Sequence, residues 1–315
     1  MAGGRENPLL ELAMANGTPM LSLNHILVAT DLCSVSLLAL RHALGIARRY
    51  HSTVSVLHVI DPSIYGLAGT DGISADADAA LRQAEGIEAS LRSEGCLEGL
   101  RYESIVAIGP VWRTVADTVE EKRTALLVLG THGRTALGKL ALGSVAESAF
   151  REPGCPVLTV GPKVLRARSS GAEAKRFLVP TDLSLDSQSA LPYGISLAEA
   201  TAGDVTLLNV RGTPLGSNAA DAAESVAAAD ARLQGLLQLH PAALAITPII
   251  VQAGRPADAI VAFAEERRMD LIVMGRRAWA PESQPMWRTA YAVVTQACCP
   301  VLSMQTPLIS TTPAV

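Results

Sequence analysis

The chain has 315 residues, enough for about two domains of ordinary size. Its 26 basic and 30 acidic side chains leave a net charge of −4, which excludes the broad positive footprint of a nucleic-acid binder. Aromatic residues are 3% of a composition that is 49% hydrophobic, a balance that suits close helix-on-sheet packing better than a large aromatic-lined cavity. No apolar run approaches the roughly 20 residues of a membrane span, so no membrane partner is expected.

Residues 1–23 carry Leu and Met but are broken by Glu11, Asn16, Gly17 and Pro19, so they read as a flexible tail and a poor signal peptide. The five cysteines, Cys33, Cys96, Cys155, Cys298 and Cys299, are an odd number without metal-like spacing. They fit reduced thiols in the cytoplasm.

From residue 24 the chain alternates strand and helix patterns. Ile26 to Ala29 is a short apolar run of the kind buried on both faces of a parallel sheet. Ser34 to Tyr50 is helical, with Leu37, Leu40, Leu44 and Ala47 on one stripe, and Thr53 to Val59 is a second strand. After a Gly- and Asp-rich loop through Gly72, Ala77 to Glu94 places Leu81, Ala84, Ile87 and Leu91 at helical spacing. Arg101 to Ile108 is a third strand, and Pro110 introduces a helix lined by Val111, Val115 and Val119. Ala125 to Leu129 is a fourth strand, and Ser144 with Glu147 reads as a capping box that opens a fourth helix. Pro156 to Val160 is the last strand. This alternation predicts an α/β fold with a parallel, doubly wound sheet.

The pattern then repeats. Residues 24 to 60 align without a gap on residues 174 to 210, pairing Asp31 with Asp182 at an offset of 151. Later landmarks hold nearly that spacing: Gly130 pairs with Gly275 at 145, and Cys155-Pro156-Val157 with Cys299-Pro300-Val301 at 144. The reading is a tandem duplication, with domains at 24–162 and 174–307, a solvated linker at 163–173 and a C-terminal tail at 308–315.

Candidate chemistry concentrates between Gly130 and Ser144. Glycines at 130, 133, 138 and 143 let backbone amides approach a ligand, and a helix start immediately after them favours an anion. Gly133 to Lys139 also fits G-x4-G-K, but Leu140 stands where a P-loop places its magnesium-binding Ser or Thr. Thr30 and Asp31 taken alone could simply cap the helix near Ser34, and Arg134 and Lys139 could be exposed loop cations. His58 reads as packing at the strand end.

The spacing G-x2-G-x9-G-[ST] at Gly130, Gly133, Gly143 and Ser144, joined to Ala29-Thr30-Asp31 and Leu57-His58-Val59, resembles the ATP-binding branch of the universal stress protein family. The resemblance covers both repeats. It implies two tandem doubly wound domains, each a five-stranded parallel sheet of order 3-2-1-4-5 with helices on both faces. It further implies a ligand where the strand order reverses. By the same resemblance Ala29, Thr30, Asp31 and Val59 line the adenine and ribose end with Leu129 nearby. Gly130, Gly133, Gly143, Ser144 and Val145 would hold the phosphates, with Arg134 available to neutralise charge.

The second repeat keeps Thr181-Asp182, Val210 and Gly275 but has Ala278, Arg288 and Thr289 at the other phosphate positions, with Pro281 and Pro285 between them. It is expected to bind ATP weakly or not at all. One adenine-nucleotide site per chain follows, with magnesium brought by ATP. No side chain stands out as a catalytic base, so three readings stay open: a nucleotide-dependent stress or signalling switch with an unknown protein partner, a slow ATPase or phosphotransferase, and a scaffold with a vestigial site. The two repeats are expected to pair through Pro156 to Val160 and Pro300 to Met304, and a homodimer could use the same strands.

Overall fold

The computed structural model describes residues 22–62, 70–131, 142–152, 154–166, 174–211, 219–238, 246–251, 254–276 and 284–305. The first repeat contributes strands β1 (His25–Ala29), β2 (Thr53–Ile60), β3 (Arg101–Ile108), β4 (Leu126–Gly130) and β5 (Val157–Val160). Between them run helices α1 (Ser34–Tyr50), α2 (Thr70–Ser93), α3 (Val111–Glu121) and α4 (Ser144–Arg151). The second contributes β6 (Arg176–Pro180), β7 (Asp204–Val210), β8 (Ile246–Val251), β9 (Leu271–Arg276) and β10 (Val301–Gln305). Its helices are α5 (Leu185–Gln188), α6 (Ala190–Thr201), α7 (Ala219–Gln238), α8 (Pro256–Glu266) and α9 (Gln284–Gln296).

Within each repeat neighbouring strands are parallel and follow the expected 3-2-1-4-5 order. The repeats do pair through their final strands. β5 and β10 run antiparallel, matching Val301 with Thr159, Leu302 with Leu158 and Ser303 with Val157. One ten-stranded sheet results, β3-β2-β1-β4-β5-β10-β9-β6-β7-β8. The outer strands β3 and β8 are its edges, and β8 places Pro248 opposite Leu207, as befits a strand with one unpaired side.

Strand alternation sorts the apolar side chains into two layers, one on each face. Ile26 and Val28 join α1 and α6 on one face, in a cluster that runs on through Leu158 to Phe177 and Val179. Leu27 points to the other face, where Leu127, Val157 and Val301 meet residues of α3, α4, α8 and α9. Both layers therefore cross the boundary between the repeats without interruption.

Two boundaries differ from the sequence reading. α2 begins at Thr70, so Gly72 belongs to the helix and not to the loop before it. The linker opens with a 3-10 turn, Pro162–Arg166, that buries Val164 in the core, and so it is not solvated throughout. A charged, serine-bearing segment conceals this single apolar anchor.

A small cavity of about 30 Å³ lies at the boundary, lined by His42 and Tyr50 of α1 together with Leu158, Phe177, Leu197 and Pro300. His42 Nδ1 and the Tyr50 hydroxyl have no hydrogen-bond partner among the described residues. Burial lowers the His42 pKa from the ordinary 6.5 to about 4. The folded chain therefore keeps this ring neutral, whereas the unfolded chain takes up a proton as pH falls through 6.5. The stability it contributes is complete above pH 6.5 and is lost as pH falls toward 4, by roughly 3 kcal/mol in all. Denaturant unfolding between pH 7 and pH 4 should show this loss, and His42→Gln should flatten that part of the profile.

Candidate functional site

The carboxyl ends of β1 and β4 lie side by side, with Ala29 opposite Leu129, and β1 marks the point where the strand order reverses. Ala29 ends β1 with Thr30 and Asp31 directly after it, Val59 lies near the end of β2, and Leu129 and Gly130 end β4. Gly143, Ser144 and Val145 form the start of α4. The structure gathers these nine residues at one end of the sheet. Gly133 and Arg134, with His132, Gly138 and Lys139, lie outside the described residues.

Thr30 and Asp31 shape the turn into α1. Thr30 Oγ1 accepts the Leu32 amide at 2.9 Å and donates to Ser36 Oγ at 2.9 Å. Asp31 Oδ1 accepts the Cys33 amide at 3.1 Å and the Ser36 hydroxyl at 2.7 Å. Leu32 between them sits at φ 62°, a left-handed conformation that a leucine adopts only when its surroundings impose it. The second repeat builds the same turn. Thr181 Oγ1 accepts the Leu183 amide and meets Ser187 Oγ, Asp182 Oδ1 accepts from Ser184, and Leu183 has φ 65°. Partial burial works to raise the Asp182 carboxyl, but hydrogen bonds from Ser184 and Ser187 outweigh it and hold the group below the usual carboxylate range.

His58 does more than pack. Its Nδ1 lies 2.8 Å from the Thr30 carbonyl, and the only proton that can bridge them is its own, so Nδ1 carries the hydrogen. Asn209, at the matching position of the second repeat, donates through Nδ2 to the Thr181 carbonyl at 2.7 Å. Both residues serve one need, a donor for the carbonyl at the start of the turn. Aligning the repeats at this position would have revealed it.

The glycines divide by purpose. A Cβ on Gly130 would stand 3.2 Å from Val35 Cγ1 and 3.3 Å from the Ser36 nitrogen, so this glycine lets α1 approach the end of β4. A Cβ on Gly275 would collide with the Asp186 carbonyl. Both repeats keep a glycine here because the fold requires it, with or without a ligand.

α4 starts differently from expectation. Gly143 is the N-cap, in an extended conformation at φ −62° and ψ 155°, and Ser144 is the first helical residue. Glu147 pairs with Arg151 at 2.6 Å, one turn on, and the expected capping box does not form. The Gly143 amide donates to the Thr131 carbonyl at 2.8 Å, tying the helix start to the end of β4. Gly143 thus closes the loop, and the amides of Ser144 and Val145, in the first turn of a helix without a side-chain cap, are the ones positioned for an anion. Thr131, fully buried and absent from the sequence reading, is the hinge of this closure.

The second repeat moves the helix start. α9 begins at Gln284, so Thr289, the counterpart of Ser144, is its sixth residue and its amide belongs to the helix ladder. A cavity of about 220 Å³ remains at the carboxyl ends of β6 and β9, lined by Thr181, Asp182, Val210, Met274, Arg276 and Thr289 among others. Arg276, 4% exposed, places Nη1 against the Phe150 carbonyl of α4 and its guanidinium over the Phe150 ring at 5.0 Å. Burial lowers its pKa to about 10, which leaves it charged at neutral pH, and its Nε and Nη2 have no hydrogen-bond partner among the described residues.

Substitutions at two positions test the structural roles. Gly275→Ala should lower stability by about 1–3 kcal/mol through overpacking. His58→Asn should be close to neutral, while His58→Leu, which strands the Thr30 carbonyl, should lose about 1–3 kcal/mol, both read from denaturation midpoints.

Comparison with known proteins accords with this architecture. Residues 22–161 and 173–304 each match the universal stress protein family. A universal stress protein of Methanocaldococcus jannaschii is 33% identical over 137 residues, 43% of this chain and 80% of that protein. One from Bacillus subtilis is 27% identical over 145 residues, 44% of this chain and 98% of that protein. Among solved structures, a universal stress protein from Archaeoglobus fulgidus superposes with a TM-score of 0.64 at 23% identity, covering 90% of this chain and 97% of that one. The double match and the shared fold establish that the chain is a tandem member of the universal stress protein family.

Proposed function

We propose that the first repeat binds ATP and that the protein works as a nucleotide-dependent module of a stress response. The observation that carries this reading is the start of α4, pinned by the bond from Gly143 to Thr131 so that the Ser144 and Val145 amides stand at the strand-order reversal. Backbone amides and the helix dipole together favour phosphate there. Thr30, Asp31 and Val59 form the facing wall for adenine and ribose, and Gly133 and Arg134 complete the loop. The second repeat, whose matching amides lie inside α9, takes no phosphate, and one nucleotide binds per chain.

Magnesium enters with ATP, held by phosphate oxygens and water. Among the described residues no group of three His, Cys, Asp or Glu side chains gathers that could hold a metal ion, and no helix is long and apolar enough to cross a membrane. Hydrolysis is slow at most in this reading, because no side chain is assigned as its base. In this reading the module acts by what it binds.

Ser144→Pro is the sharpest test. It deletes one amide and one hydroxyl at a helix position that tolerates proline, and Gly143 already has the conformation that a residue before proline requires. Calorimetric titration of the intact chain with magnesium ATP should show one site, weakened at least about tenfold in Ser144→Pro with an unchanged unfolding midpoint. No ATP binding by the unsubstituted chain would overturn the proposal.

A further inference from the structure

We infer that the nucleotide site of the first repeat is completed by the second repeat, with Tyr291 as a positioning residue that holds the exit of the phosphate loop. The inference rests on the nucleotide reading above. The Leu142 amide donates to the Tyr291 hydroxyl at 3.2 Å, across 149 residues of sequence. Leu142 immediately precedes Gly143, whose own amide is held by Thr131. Two successive amides are thus drawn into the protein, one by each repeat, and the next two, of Ser144 and Val145, are presented at the helix start.

The far end of the same helix is held from the second repeat as well. α4 has only eight residues, about two turns, and a helix that short does not persist in water without tertiary support. Arg276 supplies a cation and a hydrogen bond at Phe150 in its last turn, where a positive charge also complements the dipole. Tyr291 and Arg276 therefore bracket α4, and both reach it from β9 and α9. Tyr291 packs against the apolar cluster that contains Leu142, Ala146, Ala290 and Val294.

The arrangement is one-sided. At the repeat offset of 145, Tyr291 corresponds to Ala146 and Arg276 to Thr131. Neither residue of the first repeat can return the contact, since alanine has no hydroxyl and threonine no guanidinium. The repeat without the phosphate amides is the one that provides the support.

The test is Tyr291→Phe in the intact chain, which removes the hydroxyl and keeps the ring. Titrations with magnesium ATP and with adenosine separate positioning of the phosphate end from general loosening of the fold. ATP should bind about five- to tenfold more weakly, adenosine should bind as before, and the Leu142 amide should exchange its hydrogen faster. Equal weakening of both ligands, or none for ATP, would overturn the inference while leaving the ATP site in place. Failure of the unsubstituted chain to bind ATP would instead overturn the nucleotide reading beneath it.

Discussion

The short antiparallel ladder between β5 and β10 is the constraint on which the remaining architecture depends. A five-stranded parallel sheet ends in a strand with unpaired backbone groups, a liability that each repeat resolves by pairing with the other. Thr159 and Ser303 add their hydroxyls to strand carbonyls across the join, at 3.1 and 3.3 Å, so that buried polar atoms do not weaken it. Once the two sheets are one, the apolar layers on both faces become continuous and α4 comes to lie within reach of α9 and Arg276.

The repeats agree where the fold demands it and diverge where a ligand would be held. Thr-Asp followed by a left-handed leucine, a side-chain donor at His58 or Asn209, and a glycine at 130 or 275 recur because each solves the same packing or hydrogen-bonding problem. Their persistence in the second repeat is thus no sign of nucleotide binding. The informative difference is where the following helix begins, since a shift of the first turn from Ser144 to the equivalent of residue 139 moves the same backbone amides from a helix end to a helix interior.

Much of this was legible in the sequence, for identifiable reasons. Strands buried on both faces write themselves as uninterrupted apolar runs, and α1 was bounded correctly because His51 closes it in a left-handed turn just before β2. The duplication was visible because both copies keep the same fold-critical residues. The capping box at Ser144 failed because the cap falls one residue earlier, on Gly143, which leaves Glu147 at the fourth helical position, where it pairs with Arg151 one turn away. Gly72 misled because its helix extends to Thr70. The contact between Leu142 and Tyr291 leaves no local trace at all, as it exists only after the repeats have joined.

The tether also settles a question of symmetry. Two identical chains that paired through their last strands would have to present the same residue at both equivalent positions, so a tyrosine gained at one would appear at the other. Joining the copies in one polypeptide fixes their ratio at one to one and releases each from its twin. Tyr291 could then face Leu142 while Ala146 stayed small. Covalent linkage is what permits a half-and-half protein to specialise its halves.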